Sequence, residues 1–280
     1  MPARIGPGVG NPYSLVGSMS EIAERQSLVK LSTPVAGVTL IELNRPEKRN
    51  ALNGALLADL AAALDVAETN GSRCVVLAGT ETIFSAGADI SEMRERGFQA
   101  IANAARSASW ARIEAFSLPI VAAVRGICFG GGHELVMLAD VTIAAEDARF
   151  GQPEIKLGII PGDGATQRLT HLVGKPLAMK MILTGEPIDA AEALRARLVA
   201  EVTDIETCLP RALEIAASIA RHSAAALRLA KDAVLATYEV SLAQGLRTER
   251  RNIALAFTTE DQKEGMAAFF EKRPPRFTGR

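Results

Sequence analysis

The chain offers little to a disulfide framework, a nucleic acid or a bilayer. Its 280 residues hold three cysteines, Cys74, Cys128 and Cys208, odd in number, far apart and set in apolar segments. That usage fits reduced, buried thiols in a cytoplasmic protein and excludes a disulfide scaffold or a zinc knuckle. Aromatic residues make up only 4%, which disfavours a base-stacking platform. Neither sign of charge dominates: 31 Lys and Arg against 32 Asp and Glu leave a formal net charge of −1. No basic excess exists to draw the chain to nucleic acid or to an anionic membrane surface. No uninterrupted apolar run reaches the length of a membrane span. His133, His171 and His222 lack metal-ligand spacing, and no metal is expected. The Walker pattern, the Gly-x-Gly-x-x-Gly dinucleotide fingerprint and the Gly-x-Ser-x-Gly nucleophile elbow are all missing. No redox cofactor is expected either.

What is present is a hydrophobic content of 48%, which excludes a disordered polymer and allows a sizeable core. Residues 1–27 read as a flexible N-terminal extension. Met1 to Ser20 is rich in Gly, Pro and Ser and lacks the apolar centre of a signal peptide. Residues 37–43, 74–77, 120–124 and 141–144 are short apolar runs, three of them continuous enough for strands buried on both faces. Between them lie helical patterns. Asn53 stands where it can cap a helix whose Leu56, Leu60, Leu64 and Ala67 recur at helical spacing. Strand and helix alternate, so an α/β fold with largely parallel strands is expected over residues 28–200. From about Pro176 strand signals fade and helical periodicity takes over, as at Leu209, Leu213, Ala216 and Ala220. Residues 201–280 are expected to form a helical C-terminal region.

Two carboxyls stand out. Glu134 follows the glycines at 130–132, and Glu154 follows Pro153 in the run 150–155. Charged side chains seldom enter such apolar, glycine-rich stretches unless they are paired, hydrogen-bonded or chemically employed. The glycines at 130–132 either allow tight helix–strand packing or let backbone N–H groups approach a ligand; the pattern alone leaves both open. The run 84–90 (Phe-Ser-Ala-Gly-Ala-Asp-Ile) offers a second small-residue corner, with Ala88 as a donor and Asp89 or Ser91 as a helix cap. Two carboxyls at one water can divide the roles of base and acid when their environments separate their pKa values.

The ordered runs 43–46, 50–52, 84–90, 130–135, 148–155, 157–162, 166–169, 183–185 and 260–269 together resemble the crotonase (enoyl-CoA hydratase/isomerase) superfamily, and within it the short-chain enoyl-CoA hydratases. The resemblance runs from about residue 28 to the C-terminus. It implies a spiral of ββα units with a helical C-terminal region, assembled as a trimer or a hexamer. It implies an acyl-CoA substrate, with the N–H groups of Ala88 and Gly131 holding the thioester oxygen. Glu134 would activate water and Glu154 would protonate the α-carbon. Ala86, Ala88, Asp89, Ile90 and Gly131 would line the CoA site, and Lys272 would reach a CoA phosphate, from this chain or a neighbour. The resemblance implies a trans-2-enoyl-CoA hydratase of fatty-acid β-oxidation; the alternatives are a Δ3-Δ2-enoyl-CoA isomerase or a silent acyl-CoA-binding protein. His133, where a cysteine is frequent, and Asp163 and Ala165, where small residues are usual, depart from the common pattern. They leave the acyl preference open.

Overall fold

A computed structural model describes residues 27–279. The expected N-terminal extension falls, but for Ser27, outside the described residues. The elements run in order as β1 (Val29–Val35), β2 (Val38–Leu43), α1 (Gly54–Thr69), β3 (Cys74–Ala78), β4 (Ile83–Ser85), α2 (Ile90–Arg96), α3 (Phe98–Ile101) and α4 (Ala104–Glu114). They continue with β5 (Ile120–Val124), β6 (Ile127–Phe129), α5 (Gly131–Val136), β7 (Val141–Ala145), β8 (Arg149–Gly151), α6 (Ala165–Val173) and α7 (Lys175–Thr184). The last are β9 (Ile188–Asp189), α8 (Ala190–Arg195), β10 (Glu201–Thr203), α9 (Cys208–Ala220), α10 (Ala224–Leu235), α11 (Leu242–Ala256) and α12 (Glu260–Phe270).

Two sheets share these strands. The larger has the order β1-β2-β3-β5-β7-β10 and is parallel except for the β1–β2 hairpin. The smaller has the order β4-β6-β8-β9. Three times the chain leaves the large sheet, adds a strand to the small one and then turns into helix: β3–β4, β5–β6 and β7–β8. This is the spiral of ββα units. Strand side chains alternate between two packed layers. Val75, Leu77, Ile120, Ala122 and Val124 join the core that contains α1. Cys74, Val76, Ala78, Val121 and Ala123 face Cys208, Ala212, Ala216 and Ala220 of α9. Burial on both faces is why these strands read as unbroken apolar runs.

The short strands escaped the periodicity reading. β6 lies just before the glycines at 130–132, in a stretch given no strand from the sequence, and β9 and β10 lie where strand signals fade. Strands of two or three residues are too short to display alternation. The helical segment between β4 and β5 is broken into three, α2, α3 and α4, by Gly97, at φ 52°, and by Ala102–Asn103, where Asn103 caps α4. The main sheet and α9 carry the α/β layering past residue 200. Helices α10–α12 close the N-terminal ends of the strands: Lys231 Nζ reaches Leu118 O at 3.0 Å and Asp140 at 2.9 Å, and Arg73 Nη2 donates to Phe277 O at 2.6 Å. Among the described residues no helix is long and apolar enough to cross a membrane.

Candidate active site

The site lies where the loop after β4 meets the start of α5. Residues 86–89, between β4 and α2, belong to no strand or helix, and the run 45–52 fixes them. Asn50, fully buried, donates from Nδ2 to Phe84 O at 2.9 Å. Ser85 Oγ donates to Asn50 O at 2.8 Å and accepts from Gly87 N at 3.2 Å. Leu52 N donates to Gly87 O at 2.7 Å, and Asp89 N donates back to Leu52 O at 3.0 Å. This bracket leaves the Ala88 peptide between them with its N–H turned away from the ladder. Gly87, at φ 103°, occupies backbone space that L side chains rarely adopt, and a Cβ there would sit 3.0 Å from Phe129 O. The two glycine corners are therefore in contact. A Cβ placed on Gly131 would be 3.7 Å from Ala88 N. Among the described residues neither the Ala88 nor the Gly131 N–H donates to a protein acceptor.

The two carboxyls converge on this corner. Glu134, on α5, is 2% exposed. Its Oε1 accepts from Asp163 N at 2.8 Å and Ala165 N at 2.9 Å. Burial raises its pKa above the ordinary carboxylate value; those two N–H groups and Arg106 counter the rise, and the Asp163 charge adds to it. Glu154 is the second residue of a short 3-10 turn, Pro153–Leu157. Its Oε1 rests against Gly130, 2.8 Å from where a Cβ would be. Burial pushes its pKa up to about 7, with the charges of Glu134 and Asp163 acting in the same direction.

Gln152 is the site residue that the sequence reading missed. With its amide set to satisfy both neighbours, its oxygen accepts from His133 Nδ1 at 3.2 Å and its nitrogen donates to both Glu154 oxygens at 3.1 Å. His133 is fully buried, and burial pulls its pKa down to about 4, so the imidazole is neutral. The available signal was a buried-type polar residue two positions before Glu154 in an apolar run.

The remaining sequence-selected residues are distributed unequally. Ala86 is exposed at the rim, and Ile90 is 47% exposed. Asp89 turns its carboxylate inward. It pairs with Arg45 Nη1 at 2.7 Å and caps α2 through Ser91 N and Glu92 N. Burial opposes its ionisation, but these donors hold its pKa below the usual value. Lys272 is exposed in the turn after α12, and the segment that follows it closes on Arg73 at the N-terminal end of β3. That is the opposite end of the strand from Ala88. Among the described residues no three His, Cys, Asp or Glu side chains gather where a metal ion would bind.

Residues 33–280 match the family model described as enoyl-CoA hydratase/isomerase. The chain belongs to the enoyl-CoA hydratase/isomerase family. It is 49% identical over 244 residues to a 2,3-dehydroadipyl-CoA hydratase of Escherichia coli K12, covering 87% of this chain and 96% of that one. It is 47% identical over 244 residues to a probable enoyl-CoA hydratase of Mycobacterium tuberculosis, covering 87% and 95%. Among solved structures it resembles an enoyl-CoA hydratase from Bacillus anthracis, with a TM-score of 0.85 at 37% identity, covering 90% of this chain and 100% of that one. Within this family frame, the run 45–52 has a structural meaning: Arg45, Asn50 and Leu52 are the braces of the Ala88 loop.

Proposed function

We propose that the chain is an enoyl-CoA hydratase that adds water across the 2,3 double bond of a trans-2-enoyl-CoA to give a 3-hydroxyacyl-CoA. The observation that carries this reading is the pair of carboxyls in unlike environments, Glu134 buried and Glu154 half-buried, beside two N–H groups that have no protein acceptor among the described residues. A thioester oxygen seated on Ala88 N and Gly131 N would gain negative charge as water attacks the β-carbon. Each such preorganised donor is worth about 3–4 kcal/mol in comparable oxyanion sites. Glu134 spends Oε1 on two backbone N–H groups, which favours its ionised form, and its second oxygen remains to take the proton of water. Glu154, with a pKa of about 7, keeps a substantial protonated fraction at neutral pH and suits delivery of a proton to the α-carbon. The scheme routes no step through a metal or redox group.

Two carboxyls favour hydration over Δ3-Δ2 isomerisation, which moves one proton and uses no water. The same reading places the enzyme in fatty-acid β-oxidation, with acyl-CoA as its ligand and the cytoplasm as its compartment; the three free, buried thiols fit a reducing one. We also propose a homo-oligomer built on trimers. Val234, Tyr238, Leu242, Phe257, Phe269 and Phe270 of the helical region are exposed apolar side chains that a neighbouring copy would cover. Lys272 would then serve a neighbour's CoA phosphate.

The test is loss of enoyl-thioester absorbance on mixing with crotonyl-CoA or with 2,3-dehydroadipyl-CoA, the substrate in the Escherichia coli relative's name. No absorbance change with either, at saturating thioester, would refute the hydratase. Light scattering tests the assembly, and a monodisperse 29.6 kDa species would refute it.

A further inference from the structure

The two-carboxylate mechanism leaves an ion pair next to the base unused. Arg106, on α4, donates from Nη1 to Asp163 Oδ1 at 3.0 Å and from Nη2 to Asp163 Oδ2. The side chains are 18% and 13% exposed, so the pair lies mostly away from solvent. The guanidinium stands 5.9 Å from the Trp110 ring centroid. The same residue, Asp163, presents its N–H to Glu134 at 2.8 Å. Its carbonyl accepts from Arg168 Nη1 at 3.1 Å, and Arg168 Nη2 reaches Glu114 of α4 at 2.9 Å. Gly162 and Gly164 flank it, the latter at φ 115°. A loop of this composition has little stiffness of its own. Residue 163 is thus clamped from three sides: by Arg106 through its side chain, by Arg168 through its carbonyl and by Glu134 through its N–H. Both cationic clamps lead to α4.

We infer that Arg106 and Asp163 are positioning residues for Glu134: their forked ion pair ties the glycine-flanked 162–164 loop to α4, and so fixes the peptide N–H that aims the base. This rests on the reading of Glu134 as the base. A bidentate guanidinium–carboxylate pair suits the task because it sets both distance and angle. The pair also balances charge. Asp163 alone opposes ionisation of Glu134, and Arg106 alone favours it. The other groups around Glu134 are the Glu154 carboxyl, the Ala165 N–H, neutral His133 on its own helix, and Arg168, which reaches it by way of the Asp163 carbonyl.

The experiment compares Arg106→Met, Asp163→Asn and the double variant, reading kcat, KM and the pH profile of kcat/KM with crotonyl-CoA. Arg106→Met leaves Asp163 uncompensated. The acidic limb should move up by about half to one pH unit, as expected for a charge of this proximity. Asp163→Asn should move it down by a similar amount. Loss of the anchor should lower kcat about 10-fold or more in each, with KM little changed, since small misplacement of a catalytic group is costly. The double variant should return the limb to the wild-type position while kcat stays low. Arg106→Lys should keep the limb in place and recover part of kcat. If Arg106→Met fails to fold, Asp163→Asn and Arg106→Lys carry the test. Shifts in the same direction, or unmoved limbs with kcat within about twofold, would overturn the inference. Glu134→Gln run in parallel separates the two readings. Full activity there removes the base itself, whereas an inactive Glu134→Gln with unperturbed pair variants removes only the positioning role.

Discussion

Glu134→Gln is the change whose outcome the structure defines most closely. The carboxyl is 2% exposed, and both of its backbone hydrogen bonds, from Asp163 N and Ala165 N, end on one oxygen. An amide oxygen takes that place without moving the loop. The amide NH2 then occupies the position from which the carboxylate would take a proton. General-base action is typically worth ~10²–10⁴-fold, which is about 2.7–5.5 kcal/mol of barrier. The expected result is a kcat reduced by that factor with KM near wild type, followed as the decay of crotonyl-CoA absorbance. Stability should move the other way. The folded pKa of Glu134 lies above its ordinary value, so the ionised side chain costs the folded state free energy once pH exceeds the unfolded carboxylate value. Gln removes that cost. The variant should melt at the same temperature as wild type or higher at pH 7, and the difference should vanish near pH 4. A rate within tenfold of wild type would refute the assignment of the base. Intact melting with an unaltered rate would refute it most sharply, because misfolding could not then be blamed.

Glu154→Gln should likewise retain CoA-thioester binding and lose ~10²–10⁴-fold in turnover; since the acid titrates near pH 7, wild-type hydration should fall on the alkaline side of about pH 7, and that limb should be missing from the variant's residual activity. A wild-type profile flat from pH 6 to about 9 would contradict the assignment. Gly132→Ala should cost about 1–3 kcal/mol by urea unfolding, because the new Cβ would lie 2.5 Å from Ser85 Cβ and displace the hydroxyl that holds Asn50 and Gly87. An unchanged urea midpoint would show that the contact relaxes freely. The thiols of Cys74 and Cys208 are pushed by burial to about 12 and about 11, and that of Cys128 well above its usual value. A disulfide reagent should therefore titrate three thiols only after denaturation, and rapid modification of the native protein would refute this.

Much of this protein was legible before any coordinates. The Asn53 cap is where the sequence puts it, its Oδ1 accepting from Leu56 N at 2.9 Å. Leu56, Leu60, Leu64 and Ala67 are all buried. Local rules suffice there, because a cap and a helical stripe involve residues within a turn or two of one another. The doubly buried strands were legible for a related reason: a strand covered on both faces needs apolar residues at every position. The glutamates were conspicuous because ionisable groups in glycine-rich apolar runs are rare.

What the sequence left undecided is long-range. The second sheet is built of strands of two to three residues, too brief for alternation, and exists through pairings such as Ile127 with Arg149 and Cys128 with Phe150. Whether the glycines at 130–132 serve packing or a ligand is open on pattern, and the fold shows the packing; the ligand role belongs to the proposed hydratase mechanism. Gly132 packs against Ser85, and Gly131 lies beside Ala88, a Cβ on it falling 3.7 Å from Ala88 N. Asp163 stands in the sequence only as a departure where small residues are usual. Only the tertiary structure brings Arg106 to it across 57 residues and turns it from a free charge into an anchored one. The environment that pushes the Glu154 pKa up to about 7 is likewise assembled from afar, by burial and by the charges of Glu134 on α5 and Asp163 in the 162–164 loop. Residue types and local spacing are properties of the chain, and the sequence determined them. Desolvation, charge balance and the close approach of the two glycine corners are properties of segments brought together from afar, and no local pattern encodes them.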